Sequence, residues 1–129
     1  MTHYPHAIVW IDHHQAKVFL FNLAEVAAGK VFPGDRHVHV HHKANTVGSG
    51  HAPVDRAYLK KVLDQIADAG AILIAGPGSA KDEFVTYVDS QSPEVSARIA
   101  AVKTADHPSD RELVAFARKF FKTNDRIRA

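Results

Sequence analysis

Hydrophobic and polar positions divide the chain into a strand-rich first third and a mixed remainder. Ala7 to Asp12 is an unbroken apolar run closed by an acid, the pattern of a strand buried on both faces. The polar break Asp12-His13-His14-Gln15 separates it from Ala16 to Phe21. That second run is rich in branched and aromatic residues, so the two predict an antiparallel hairpin. Glu25 to Phe32 reads as a third strand, stopped by Pro33-Gly34-Asp35. From Arg36 to His42 the residues alternate strictly: Val38, Val40 and His42 share one face, and His37, His39 and His41 the other. This is a half-buried strand by its period of two.

Lys43 to Pro53, with Gly48, Ser49 and Gly50, predicts a long mobile loop. Asp55 to Ala69 then carries Leu59, Val62, Leu63 and Ile66 at helical spacing, with Gly70 as its stop. Ala71 to Ala75 has no polar alternation, as strands of parallel sheets have none. After the Gly76-Pro77-Gly78 turn, Ser79 with Asp82 predicts a capping box for a helix to about Val88. Ser92-Pro93-Glu94 opens a short helix, and Ala101 to Ala105 reads as a strand. Ser109 with Glu112 predicts a second capping box, for a last helix to about Phe121 with Leu113, Phe116, Ala117 and Phe120 inward. The expected class is α/β: one mixed β-sheet with helices packed on it, in a single domain over 1–129.

Composition narrows the chemistry. The 129 residues contain no cysteine, which removes disulfides, thiolate metal sites and a cysteine nucleophile. No apolar run approaches the roughly 20 residues of a membrane helix, and the first residues lack a signal-peptide pattern. A cytoplasmic protein with no membrane partner is expected. The formal charge is +2 with histidine neutral, and ten histidine protons would carry it to +12. An anionic partner is therefore permitted, more so in mild acid.

Several segments resemble a family. Ile8-Val9-Trp10-Ile11-Asp12 with Ala16-Lys17-Val18-Phe19 resembles the opening hairpin of the middle domain of eukaryotic and archaeal peptide-chain release factors and of Pelota. Ala71 to Phe84 resembles that domain's central strand, glycine turn and following helix. The chain is also similar to small bacterial proteins described as translational machinery proteins, in which Asp106-His107-Pro108 has a counterpart. The resemblance spans roughly Ala7 to Phe121. It implies a ribonuclease H-like sheet and a link to ribosomes or RNA. Release factors carry a Gly-Gly-Gln tripeptide for peptidyl-tRNA hydrolysis in the loop before the first long helix. Gly48-Ser49-Gly50-His51 stands there instead, and no Gly-Gly-Gln occurs in the sequence. Pelota-type middle domains lack the tripeptide too, so the resemblance implies a stand-alone middle-domain-like module without hydrolase activity.

Candidate chemistry follows three patterns. Same-face histidines on a strand lie about 6.5–7 Å apart, so His37 with His39, or His39 with His41, could share a zinc ion with a further ligand such as His13, His14, His51 or Asp12. A solvated strand face is the simpler account, and no cofactor is expected beyond that zinc. Asp12 and Asp106 close neighbouring strands and could hold a divalent cation, as in ribonuclease H-like nucleases; as turn residues they need no metal. Arg36, Lys43, Arg56, Lys60 and Lys81, with the loop Gly48, Ser49, Gly50 and His51, form the expected RNA- or ribosome-binding face. Lys81 enters this set because the turn before it resembles an anion-holding strand-to-helix junction. A second basic group ends the chain, where Arg118, Lys119, Lys122, Arg126 and Arg128 also suit the helix dipole. Ser49 with His51 lacks the orienting acid of a catalytic triad. The residues favour a binding module over an enzyme. The alternatives are a metal-dependent hydrolase built on the histidine strand and a stress-related protein-interaction domain, and homo-oligomerisation is compatible with all three.

Overall fold

The computed structural model describes residues 4–34 and 55–128, with side chains to residue 123. The elements are β1 (His6–Ile11), β2 (Ala16–Phe21), β3 (Val26–Val31), α1 (Arg56–Ile66), β4 (Ala71–Gly76), α2 (Ala80–Gln91), α3 (Pro93–Ser96), β5 (Ile99–Thr104) and α4 (Asp110–Arg128). The expected strand Arg36–His42 and the Lys43–Pro53 loop lie outside the described residues. Among the described residues, five strands form one mixed sheet in the order β3-β2-β1-β4-β5. β1 pairs antiparallel with β2, and β2 with β3, while β1–β4 and β4–β5 are parallel.

Alternation along the central strands explains why they read as continuous apolar runs. Ala7, Val9, Ile11, Ile72 and Ile74 face α1, α2 and α3, packing with Tyr58, Val62, Ile66, Phe84 and Val95. Ile8, Trp10, Leu73 and Ala75 face α4, packing with Leu113, Ala117 and Phe121. Both sheet faces are thus covered, which removes the polar half of the strand pattern. β3 lies at the edge of the sheet formed by the described residues and keeps an exposed, intermediate, exposed rhythm. In the β4–β5 ladder Ile72 pairs with Ile99 but Leu73 with Ala101, so Ala100 is an extra residue there. No helix among the described residues is long and apolar enough to cross a membrane.

Three local expectations are corrected. Ser79 does not form a capping box: its backbone is already helical (φ −84°, ψ −13°), and its hydroxyl lies 3.3 Å from Glu83 Oε2 instead of receiving an amide proton. The extended backbone that lets an N-cap side chain reach back is missing. By contrast Ser109 and Glu112 do form the box, with Ser109 N donating to Glu112 Oε1 (2.8 Å) and Glu112 N to Ser109 Oγ (3.1 Å). On α4 the inward stripe is Leu113, Ala117 and Phe121, at i, i+4 and i+8, while Phe116 is 42% exposed and Phe120 partly buried. Finally, α1 stops at Ile66, short of Gly70. Gly70 N and Ala71 N instead donate to Pro5 O, starting the β1–β4 ladder.

Candidate functional site

In α/β sheets the crevice outside the carboxyl ends of parallel strands is where ligand-binding loops gather. Here β1, β4 and β5 end together. β4 leads to α2 on one face, and β5 to α4 on the other. Three loops meet at this end: the β1–β2 turn, the β4–α2 turn and the β5–α4 segment.

Asp12 builds the first loop. Its Oδ1 accepts from His14 N (2.8 Å) and Gln15 N (2.9 Å), and its own N–H donates to Gln15 O. This is the Asx turn that a short acid at a strand end makes through its own side chain. Its carbonyl accepts from the Tyr58 hydroxyl at 2.9 Å, which fastens α1 to the end of β1. Burial, and secondarily the Asp12 charge, raise the Tyr58 phenol above its ordinary pKa, so it stays a neutral donor. Asp12 Oδ2 lies 3.8 Å from His107 Nε2, and His107 Nδ1 lies 3.0 Å from Asp106 Oδ1. Trp10 supports the same segment: Nε1 donates to the carbonyls of Ala105 (3.2 Å) and Asp106 (3.1 Å), and its ring meets the His107 ring at 5.1 Å. Lys17 closes the group, with Nζ 2.9 Å from Asp110 Oδ1.

The β4–α2 turn is packed against β1. A Cβ on Gly76 would fall 2.3 Å from the carbonyl oxygen of Ile11, so a side chain there has no room. Lys81 curls back into this turn: it is 9% exposed, and its ammonium donates to Gly78 O at 2.6 Å. His13 Nε2 reaches Glu83 Oε2 at 3.3 Å and ties the β1–β2 turn to α2.

The expected binding residues separate accordingly. Arg56 and Lys60 lie one turn apart on the exposed side of α1. The Arg56 guanidinium sits 5.2 Å from the Tyr87 ring centroid, and Lys60 pairs with Asp64 at 3.1 Å. Lys81 faces inward instead of joining them. Arg36, His37, His39, His41, Lys43, Gly48, Ser49, Gly50 and His51 lie outside the described residues. Asp12 and Asp106 come to the same end of the sheet through His107. However, Asp12 is occupied by turn amides, and among the described residues no group of three or more His, Cys, Asp or Glu side chains is placed to hold a metal ion. Sequence reasoning missed the tethering roles of Tyr58, Trp10 and Lys17. A polar-tipped aromatic at a core position of a strand or first helical turn was the available signal, since such tips seek a partner when buried.

No family model matches the chain. A protein pelota homolog of Methanoculleus marisnigri is 43% identical over 49 residues, which are 37% of this chain and 14% of that protein. Among solved structures, Archaeoglobus fulgidus Pelota superposes with a TM-score of 0.61 at 13% identity, covering 92% of this chain and 32% of that one. Thermoplasma acidophilum Pelota gives 0.58 at 18% identity, over 87% and 31% of the two chains. An archaeal translation termination factor gives 0.51 at 17% identity, over 84% and 32%. The chain therefore has a Pelota/release-factor-like fold, and it spans about a third of the length of these solved relatives.

Proposed function

We propose that this chain is a release-factor/Pelota middle-domain-like binding module that contacts ribosomes or RNA in the cytoplasm and does not hydrolyse peptidyl-tRNA. The observation that carries the reading is the pairing of a 49-residue likeness to a pelota homolog with a fold likeness over 92% of the chain to a Pelota structure. A translation termination factor among the fold relatives supports a role in translation. The absence of hydrolysis rests on sequence: Gly48-Ser49-Gly50-His51 stands where release factors carry Gly-Gly-Gln.

The contact face is Arg36, Lys43, Arg56 and Lys60 with the Gly48–His51 loop. Arg56 and Lys60 are exposed side chains at the start of α1, immediately after that loop in the chain. Lys81 contributes to the same face indirectly, by holding the shape of the β4–α2 turn through Gly78 O. Exposed cations such as Arg56 and Lys60 suit a phosphate backbone, which is read by charge more than by shape.

Sedimentation through a sucrose gradient tests this. The untagged protein is expected to comigrate with ribosomes from its own cells and to be released by salt. A parallel assay on ribosomes carrying a model peptidyl-tRNA is expected to give no peptide release. Protein that stays at the top of the gradient at low salt refutes the binding role, and released peptide refutes the non-hydrolytic one.

A further inference from the structure

At the opposite end of β1 from Asp12, a pocket of about 880 Å³ opens between the β2–β3 turn and α4. Pro5, Phe21, Leu23 and Phe121 give it an apolar lining, His6 adds an imidazole, and Arg118 and Lys122 give it a basic rim. Among the described residues no carboxylate lines it. Leu23 is 99% exposed at its mouth, in a turn that has no packing reason for a leucine. Arg118 explains how the turn is held there: it donates to the carbonyls of Asn22 (3.0 Å) and Leu23 (3.3 Å), and its guanidinium lies 5.3 Å from the Phe21 ring centroid. The leucine is thus presented by a fixed turn beside a preformed cavity.

The geometry points to this pocket as a docking site for an acidic peptide segment that carries a bulky aliphatic side chain. The aliphatic group fills the cavity against Leu23, and the flanking carboxylates meet Lys122 and Arg118. Charge complementarity selects this occupant. A second copy of this chain would bring the same cations face to face across a two-fold axis, which repels. A nucleic-acid base needs a free ring face to stack on. Here Phe21 and Phe121 are each 2% exposed, the His6 ring covers Phe121 at 4.4 Å, and Arg118 covers Phe21. What remains accessible is the Leu23 side chain beside Pro5 and Ala24, the uncovered edge of the half-buried His6 ring, and the positive charge of Arg118 and Lys122 at the rim.

The test uses a fluorescein-labelled synthetic peptide of alternating aspartate and glutamate around a central leucine pair, followed by polarisation against the full chain. Saturable binding is expected. Leu23→Asp and Lys122→Glu, both at exposed positions that leave the core untouched, should each weaken it by about tenfold, as central interface residues do. A peptide with alanine in place of the leucines should lose a similar factor. Amide shifts in NMR should cluster at Leu23, Ala24 and Lys122 and leave Arg56 and Lys60 unmoved, which separates this site from the proposed RNA face. Equal affinity of the alanine peptide, unchanged binding by Leu23→Asp, or displacement of the peptide by an equimolar single-stranded oligouridylate would overturn the assignment.

Discussion

The Tyr58 hydroxyl donates to the main-chain oxygen of Asp12 at 2.9 Å, joining the first turn of α1 to the end of β1 across 46 positions of sequence. The ring is fully buried, so this bond satisfies a donor that would otherwise be stranded in the core. It also uses the carbonyl of the residue whose carboxylate shapes the β1–β2 turn. One residue therefore fixes both the turn and the approach of the helix that carries Arg56 and Lys60.

Tyr58→Phe should cost about 1–2 kcal/mol, because it removes the bond and takes its donor from the half-buried Asp12 carbonyl. The native phenol titrates above its ordinary value of about 10, through burial first and Asp12 second. A raised native pKa contributes stability that is complete below the unfolded value and is lost as pH climbs toward the native one. Wild-type protein should thus lose stability above about pH 10, and the phenylalanine variant should lose less over the same interval. Urea unfolding at neutral and alkaline pH measures this. Parallel losses in the two proteins would show that Tyr58 is not the titrating group.

The two serine-led helix starts should respond differently to alanine. Ser109→Ala removes a formed cap and should cost about 1 kcal/mol. Ser79→Ala should stay within about 0.5 kcal/mol of wild type, since its hydroxyl caps no amide. Acid adds a second readout. Glu112 titrates below the ordinary glutamate range, chiefly through the Ser109 backbone amide and then through its hydroxyl. A depressed native pKa gives stability that is present above the unfolded value and is lost as pH falls through the native one. Glu112→Gln should therefore flatten the acid limb of the stability curve, as thermal melts across that limb would reveal.

The contrast between Ser79 and Ser109 shows where sequence stops being informative. Both begin a Ser-x-x-acid pattern, yet the pattern does not encode the φ and ψ of the serine, and tertiary packing of the β4–α2 turn chose helical values at Ser79. The paired hairpin, the parallel β4 and the amphipathic α1 were legible because periodicity reports burial directly. α4 was legible as a helix but misphased: in Phe116-Ala117-Arg118-Lys119-Phe120-Phe121 three aromatics allow two neighbouring stripes, and the sheet selected the one ending in Phe121. At the candidate site, Arg56 and Lys60 lie on the surface. Lys81 does not, because a carbonyl three residues earlier captures its ammonium. Contacts such as Trp10 with Ala105, 95 positions apart, have no local signature at all.

Glycine substitutions separate close backbone approach from simple lack of a side chain. Gly76→Ala would set a Cβ against the Ile11 carbonyl, a main-chain atom in a neighbouring strand that cannot swing away. It should cost about 3 kcal/mol by forcing β1 and β4 apart. Gly29→Ala meets the far end of the Gln65 side chain at 2.6 Å, which can rotate aside. Relief of glycine's backbone entropy should then keep the variant within about 0.5 kcal/mol of wild type. Guanidinium melts of the two variants test the ranking, and equal losses would contradict the close approach at Gly76.

Salt dependence offers the sharpest test of the proposed RNA face. Lys60 and Asp64 are each about two-thirds exposed, and exposed pairs contribute little, so Lys60 can exchange its carboxylate for a phosphate. Arg56 keeps its guanidinium at the surface beside Tyr87 and can do the same. Each phosphate contact to a single strand contributes about −0.7 to the slope of log affinity against log salt. Replacing both residues with alanine should make that slope shallower by about 1.4. The control is Lys103→Ala with Arg111→Ala, which removes equal charge on the α4 side of the sheet, away from α1. It should shift affinity slightly at low salt and leave the slope near wild type. Labelled single-stranded RNA titrated at several salt concentrations gives both slopes. If the control flattens the slope as much as the Arg56 and Lys60 pair does, binding is diffuse attraction to a cationic protein, and the α1 face has no special part in it.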